Sequence, residues 1–300
     1  MSATVLALIS AFGFAATQVT AKRGLQTMSV EASLMVSLAF AWLVITTATV
    51  LSSPAPIDAG SVMVFAAIGL VTPGISRWAS ITGVERLGPS ISNPLQQGAR
   101  PLLSVLGSMV LLGEQIGWSR AAGIACVVVG GWILGTVRAE QLSEDVPEGA
   151  RRSRRRGRAI RAGIVFPLLA AASYAASDIV LRGQLGRTPE PFLGAAISMG
   201  TACIAWNAIA LSVPGIRRRL RFGPGVRWFI LSGILAGVAN LTLFSALERG
   251  EVSLVAPTVG SQPLIVILLS WILLRGIEHV ERTTILGGLL IVAGTTLVSL

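Results

Sequence analysis

Two short stretches of this chain, Gly98-Ala99-Arg100-Pro101 and Gly260-Ser261-Gln262-Pro263, occupy equivalent places in two long apolar runs. In each stretch a glycine precedes a proline by three residues. Glycine weakens a helix and proline removes a backbone donor, so both stretches predict a break inside a helix. The two copies differ at the third position, where Arg100 corresponds to Gln262. The sequence therefore predicts two related halves with different chemistry at the point where each helix is broken.

Further matches follow in the same order along both halves. One match of this kind arises readily by chance, but five in one order indicate an internal duplication, which fixes the architecture. The other paired segments are Phe14–Lys22 with Tyr174–Arg182, Val84–Arg86 with Leu247–Arg249, Leu112–Glu114 with Leu274–Gly276, and the glycines Gly123 and Gly130 with Gly287 and Gly294.

The composition of the chain excludes a soluble domain. Of its 300 residues, 53% are hydrophobic and 13% are charged, whereas soluble domains carry about 25% charged residues. The mean hydropathy is +0.74. A net charge of +10 would suit nucleic acid, but most of the arginines lie in connections between apolar runs, where they act as topology signals. We therefore expect a polytopic membrane protein that binds no nucleic acid.

Apolar runs of about 20 residues have the length that crosses a bilayer. They predict an all-α membrane protein with ten transmembrane helices. We expect residues 1–137 and 162–300 to form two five-helix repeats, joined by a basic and mobile linker over residues 138–161. The predicted spans are 3–21, 32–51, 62–83, 89–112, 119–137, 162–181, 191–213, 226–247, 252–274 and 283–299.

Basic residues are concentrated in the loops that follow odd-numbered spans, above all in 138–161 and 214–227. The positive-inside rule places these loops in the cytoplasm. Ten spans then place both termini outside. Because each half has an odd number of spans, the halves run in opposite directions and form an inverted repeat. This pattern predicts a multi-pass protein of a bacterial inner (plasma) membrane.

These features resemble the EamA-type, ten-helix branch of the drug/metabolite transporter superfamily over nearly the whole chain. The most specific part begins in the fourth span, where Pro101 is followed by Glu114 in a Leu-Gly-Glu sequence and then by the glycines of the fifth span. The resemblance implies two EamA-like repeats around a central cavity lined by spans 1, 3, 4, 6, 8 and 9. It also implies alternating access without ATP. The chain departs from the family pattern at Phe14 and Tyr174, where the family often carries a tryptophan that both halves lack.

The fourth span carries a polar face. Asn93, Gln96, Gln97 and Arg100 are spaced i, i+3, i+4 and i+7, which places them on one side of a helix. A cation near the midplane costs about 2.5–3.5 kcal/mol on insertion scales, so it requires compensation. Its planar guanidinium suits a carboxylate or phosphate group of a substrate. The alternatives are an arginine tied to backbone carbonyls that proline frees, and amides that join helices.

Polar and aromatic residues of other spans complete the candidate site. Arg77 lies nearer a membrane surface and is interpreted as snorkelling, while Trp78 is either an interfacial anchor or a wall for the substrate. Asp178 precedes Arg182 by four residues, so a structural ion pair competes with a role in proton coupling. The candidate substrate-binding residues outside the fourth span are Phe14, Gln18, Trp78, Tyr174, Asp178, Asn240, Phe244 and Gln262, and the candidate hinge residues are Gly98, Pro101, Gly260 and Pro263.

Charge within the spans favours one class of substrate. Small multidrug exporters of the same superfamily use a carboxylate in their first helix, and this chain has Gln18 there. We therefore expect a secondary transporter that exports or exchanges small carboxylate-bearing metabolites, amino acids foremost. The alternatives are a drug or organic-cation exporter, which this charge disfavours, and a lipid-linked sugar flippase of the same superfamily, which stays open.

An enzyme is not expected, because the sequence shows no catalytic constellation, metal-ligand spacing or cofactor motif. The expected partners are a small-molecule substrate and the lipid bilayer. A monomer and a homodimer both stay open.

Overall fold

The computed structural model describes residues 2–112, 150–185, 187–188, 190–249, 262–274 and 282–299, together with single positions or pairs between 118 and 133 and position 259. Some sequence predictions fall elsewhere. Glu114, Gly260, Ser261, Arg275 and Gly276 lie outside the described residues, as does most of the predicted fifth span.

The described residues are all-α, and the prediction of ten membrane helices as two inverted repeats is confirmed. The described residues contain no strand, and the fifth span is represented by helical positions between residues 118 and 133. The helices are α1 Ala3–Gly24, α2 Val30–Leu51, α3 Ala59–Gly69, a π-helical segment Leu70–Ile75, α4 Ser76–Leu87, α5 Pro89–Leu112, α6 Ala150–Leu185, α7 Pro191–Ser212, the short α8 Pro214–Arg217, α9 Val226–Arg249, α10 Gln262–Leu273 and α11 Arg282–Ser299.

The outer surface of this bundle is apolar. Large side chains such as Leu43 and Ile204 are 59% and 62% exposed. Water would disfavour apolar patches of this extent, whereas lipid tails match them. Among the described residues, five segments are long and apolar enough to cross a bilayer, namely Thr4–Gly24, Val30–Leu51, Ala59–Leu87, Pro191–Ser212 and Val226–Leu243. Shorter apolar segments are Gly163–Ser177, Gln262–Leu273 and Ile285–Gly294.

Short polar side chains set where helices begin. Ser29 precedes α2 and accepts a hydrogen bond from the backbone N–H of Ala32 at 3.3 Å. Asp58 precedes α3 and accepts one from the backbone N–H of Ser61 at 2.9 Å and another from the Ser61 hydroxyl at 2.6 Å. These hydrogen bonds lower the pKa of Asp58, since they favour its charged form. Each side chain satisfies an orphan donor of the first turn, which fixes the helix start.

Two boundaries differ from the sequence prediction. Helix α6 begins at Ala150, so residues 150–161 of the expected mobile linker are helical. The fourth span was expected to break at Gly98–Pro101, but α5 is one helix from Pro89 to Leu112. A proline inside a membrane helix is tolerated where neighbouring helices and local adjustment satisfy the freed backbone groups. The hinge role of this element stays a prediction.

The pronounced break in a described span lies in the third one. Between α3 and α4, residues Leu70–Ile75 form a π-helical turn, and Thr72 has the non-helical angles φ −136° and ψ 113°. The Thr72–Pro73 peptide bond is cis. Proline lacks the N–H that a regular helix would use here, and π-turns of this kind often mark functional positions.

Contacts between the halves repeat about a pseudo-two-fold axis. Helix α1 packs on α9. The equivalent helices, α6 for α1 and α4 for α9, also pack on each other. Likewise α2 with α9 corresponds to α7 with α3, and α1 with α10 corresponds to α6 with α5. The pairs α2 with α7 and α5 with α10 lie on the axis and join equivalent helices of the two halves. This arrangement is what an inverted repeat requires, and it places α5 and α10 together at the centre.

Matching glycines permit this close packing. A Cβ on Gly69 of α3 would collide with the backbone of Ser198 on α7. A Cβ on Gly233 of α9 would lie 2.7 Å from the carbonyl oxygen of Ser37 on α2. Small residues at such points let membrane helices approach closely. The two contacts occupy equivalent positions, so they provide a structural alignment of the third and eighth spans.

Candidate functional site

The polar face of α5 is buried in the centre of the bundle. Asn93 is 1% exposed and Gln96 is 4% exposed. Both amide atoms of Asn93 and the Oε1 atom of Gln96 have no hydrogen-bond partner among the described residues. Buried polar groups are nearly always paired with protein or ordered water, so each exception requires an explanation. Water or a solute between the helices would satisfy these groups.

The next amide on this face joins the two halves. Gln97 Nε2 on α5 donates a hydrogen bond to Gln262 Oε1 on α10 at 2.7 Å. Gln262 is itself 4% exposed. Both residues are candidates from their sequence positions, but nothing in the sequence predicts a bond between them. The bond ties together the equivalent helices at the pseudo-two-fold axis, as expected for polar side chains that join helices in lipid.

Arg100 lies one turn further along α5 and contacts α6. Its Cζ atom is 5.0 Å from the centre of the Tyr174 ring. A guanidinium over an aromatic face is stabilised by about 0.5–1 kcal/mol at an exposed site and by about 2 kcal/mol when desolvated. Arg100 is half-buried, and its five N–H donors allow several partners at once. The structure thus brings together two candidate residues from opposite halves.

Arg77 lies at the start of α4, directly after the π-helical segment. Its Nε atom donates to the Ser37 hydroxyl at 3.4 Å. Its Nη2 atom is buried and has no hydrogen-bond partner in the described part of the chain. A snorkelling arginine would extend its charged group to the interface, so this interpretation of Arg77 is wrong. Arg77 was not among the candidate substrate-binding residues. The signal that could have found it is the adjacent Thr72-Pro73-Gly74, which predicts an irregular helix.

Three other candidates have partners within the helix packing. Gln18 Nε2 on α1 donates to the Ser80 hydroxyl on α4 at 3.1 Å, and Asn240 Nδ2 donates to the carbonyl of Ala236 in its own helix at 2.7 Å. Trp78 packs edge-on against Phe166, with ring centres 5.6 Å apart. These contacts are those of residues that hold helices together. Phe14 is half-buried on α1.

For several predicted site residues, the side chain or the whole residue lies outside the part of the chain that the structure describes. The side chains of Asp178, Phe244 and Pro101 are outside the described residues, and so is Gly260 altogether. Gly98 and Pro263 are buried in α5 and α10. Their proposed roles stay predictions.

A separate apolar groove of about 380 Å³ lies on α2, lined by Ala39, Phe40, Trp42, Leu43 and Thr46. Its lining carries no charge, and Leu43 is largely exposed. A surface of this composition suits lipid tails rather than a polar solute. The polar cluster on α5 is therefore the better candidate site, although it is more enclosed.

The fold and the polar cluster together define a class of protein. Two inverted five-helix halves that meet at polar residues in the middle of the membrane are the architecture of secondary transporters. The model of the EamA-like transporter family matches residues 1–136 and 161–300, and the chain belongs to this family. It is a multi-pass membrane transporter of the drug/metabolite transporter superfamily.

Solved structures agree with this fold. One crystal structure of a protein without further description superposes on this chain with a TM-score of 0.58 and 20% sequence identity. The match covers 97% of this chain and 98% of the other. At this identity the likeness shows the fold alone. No curated protein matches the chain.

Proposed function

We propose that this protein exports or exchanges small carboxylate-bearing solutes, with amino acids as the leading class, by alternating access. The observation that carries the proposal is the position of Arg100, which lies over Tyr174 next to the bond between Gln97 and Gln262. All four residues belong to elements that meet between the halves. Alternating access requires the substrate to bind where both halves contribute.

The charge of this site favours an anionic group. A guanidinium is costly at membrane depth unless it is compensated. Carboxylates match its planar fork with two parallel hydrogen bonds. The orphaned amide atoms of Asn93 and Gln96 supply one donor nitrogen and two acceptor oxygens for the neutral part of a solute. A cationic drug would be repelled by Arg100, which disfavours the organic-cation alternative.

Counterflow in liposomes tests the function. Purified protein is reconstituted, loaded with an unlabelled solute, and assayed for uptake of labelled amino acids, organic acids and quaternary amines. Arg100→Ala should reduce carboxylate uptake to background, and Arg100→Lys should rescue it poorly because a point charge lacks the bidentate fork. The exposed Arg187 provides the matched control, since Arg187→Ala should transport normally. Normal transport by a folded Arg100→Ala protein would refute the assignment, and uptake of amines alone would favour the cation exporter.

We also propose the membrane orientation. The basic stretches 138–161 and 214–227 are cytoplasmic, both termini are outside, and the membrane is the bacterial inner membrane. The charge distribution supports this orientation. A break in the family match between residues 136 and 161 supports 138–161 as the connection between repeats 1–137 and 162–300. A cysteine at Ser153 should be protected from an impermeant thiol reagent in intact cells, whereas one at Ser2 should react. Reaction at Ser153 would reverse the orientation.

A further inference from the structure

Arg77 has a neutral counterpart in the second half. The contacts of Gly69 and Gly233 align the third and eighth spans, and the sequence pair Glu85 and Glu248 aligns their ends. Sixteen positions lead from Gly69 to Glu85 but fifteen from Gly233 to Glu248. The third span therefore carries one extra residue, which the wider π-helical turn accommodates. Counting back from the aligned ends, Arg77 corresponds to Asn240, one of the residues expected at the cavity.

The guanidinium of Arg77 is incompletely satisfied inside the protein. Its contact with Ser37 is long, at 3.4 Å, and its buried Nη2 has no partner among the described residues. Asn240, at the equivalent place, is satisfied by its own helix. When a buried N–H donor of a charged group has no hydrogen-bond partner, the protein bears the full free-energy cost of removing that donor from water. An anionic solute group would supply the missing acceptor.

Arg100 and the segment that precedes Arg77 meet at helix α6. The Tyr174 ring of α6 lies 5.0 Å from the Cζ atom of Arg100. Helix α6 is held against the π-helical segment on both sides of Tyr174. Thr72 donates to the carbonyl of Ser173 at 3.2 Å, and its hydroxyl accepts from Ser177 at 2.9 Å. The third and fourth spans, which carry Arg77 and Arg100, thus both contact α6 around Tyr174.

Resting on the proposed function, we infer that Arg77 binds a second negative charge of the solute, so that the preferred substrates carry two negative charges. Acidic amino acids and dicarboxylates have this chemistry with two carboxylates, and phosphate monoesters have it in one group. Arg100 binds one charge and Arg77 the other. A purely structural Arg77 would instead require acceptors in the helix packing, and the described residues offer its Nη2 none.

Counterflow with paired solutes tests the inference. Wild-type proteoliposomes are assayed with succinate and L-aspartate, with their singly carboxylated counterparts propionate and L-alanine, and with glycerol 3-phosphate. The solutes with two carboxylates, or with a phosphate group, should compete best in the wild type. Arg77→Gln should raise their half-saturation concentration about tenfold or more, the scale of one charge-assisted hydrogen bond, and change propionate and L-alanine by less than about threefold. Arg77→Lys should restore part of the preference.

The matched control is Arg86→Gln at the far end of the same helix. Arg86 is exposed and stacks over Phe166 at 4.5 Å, so its loss should leave the solute preference unchanged. A wild-type protein that favours propionate and L-alanine would overturn this inference and leave the proposed function standing, whereas no carboxylate counterflow at all would overturn both. An equal loss for every solute in Arg77→Gln would assign the residue a structural role. Should Arg77→Gln fail to fold, the solute preference of the wild type and of Arg77→Lys would still test whether Arg77 binds a second negative charge. Succinate against glycerol 3-phosphate separates paired carboxylates from a phosphate.

Discussion

The third span and α9 occupy equivalent places in the two halves, yet they differ in shape and charge. Helix α9 runs unbroken from Val226 to Arg249, whereas the third span is interrupted by the π-helical turn at Leu70–Ile75. Both spans pack through an equivalent glycine. The difference shows that a duplicated fold can keep its interfaces while one half acquires an extra residue and a charged side chain that the other half lacks. Both candidate arginines, Arg77 and Arg100, lie in the first half.

The largest effect should come from making the two spans alike. Deleting Val71 removes the extra residue and should convert the π-turn to a regular turn. Helices α3 and α4 would then form one continuous helix with the same residue spacing as α9. Exchange should slow by about tenfold or more while the protein stays folded, because irregular helical turns at such places commonly serve the conformational step. Counterflow rates and half-saturation concentrations measured on one preparation check this.

Pro101→Ala in the continuous α5, and its counterpart Pro263→Ala, test the hinge prediction on the same scale. If the π-turn contributes more to switching than Gly98–Pro101 does, deletion of Val71 should slow exchange more than either proline variant. A deletion protein that exchanges at the wild-type rate would show that the interruption is incidental to transport.

A smaller effect is expected at the equivalent glycines. Gly69→Ala should destabilise the protein by about 1–3 kcal/mol, the usual cost of overpacking, because the new methyl would collide with the backbone of Ser198. Gly233→Ala should destabilise it less, since its nearest neighbour is the Ser37 carbonyl oxygen at 2.7 Å. Thermal unfolding in detergent would rank the two variants, with Gly215→Ala as control because a Cβ there meets nothing within 4 Å. Equal midpoints for Gly69→Ala and the control would contradict the close approach of α3 and α7.

The smallest effect concerns the end of the third span. Lys22 Nζ on α1 donates to the carbonyls of Val84 and Glu85 in the last turn of α4, each at 3.2 Å. A cation at a helix C-terminus contributes about 0.3–1 kcal/mol. Lys22→Met should lower the unfolding midpoint slightly, and Lys22→Arg should preserve it. A midpoint unchanged in Lys22→Met would mean that water satisfies these carbonyls equally well.

Much of the candidate site could be predicted from the local pattern of the fourth span. The spacing of Asn93, Gln96, Gln97 and Arg100 places them on one face in any helix, and a polar face in a membrane span must lie inside the protein. The burial of Arg77 could not be predicted in the same way. Its position near the end of an apolar run predicts snorkelling, but the depth and direction of its side chain depend on the irregular turn that precedes it. That turn contains an extra residue, which leaves no periodic signal inside an apolar run.

The sequence by itself determined the duplication, the apolar spans, their alternating direction and the polar face of α5, because these follow from repeat spacing, span length and charge between spans. Only the tertiary structure decided which polar residues meet. The bond between Gln97 and Gln262 and the stacking of Arg100 on Tyr174 join residues far apart in the chain. Their contact depends on how closely the two halves pack, and glycine contacts such as those of Gly69 and Gly233 set that distance.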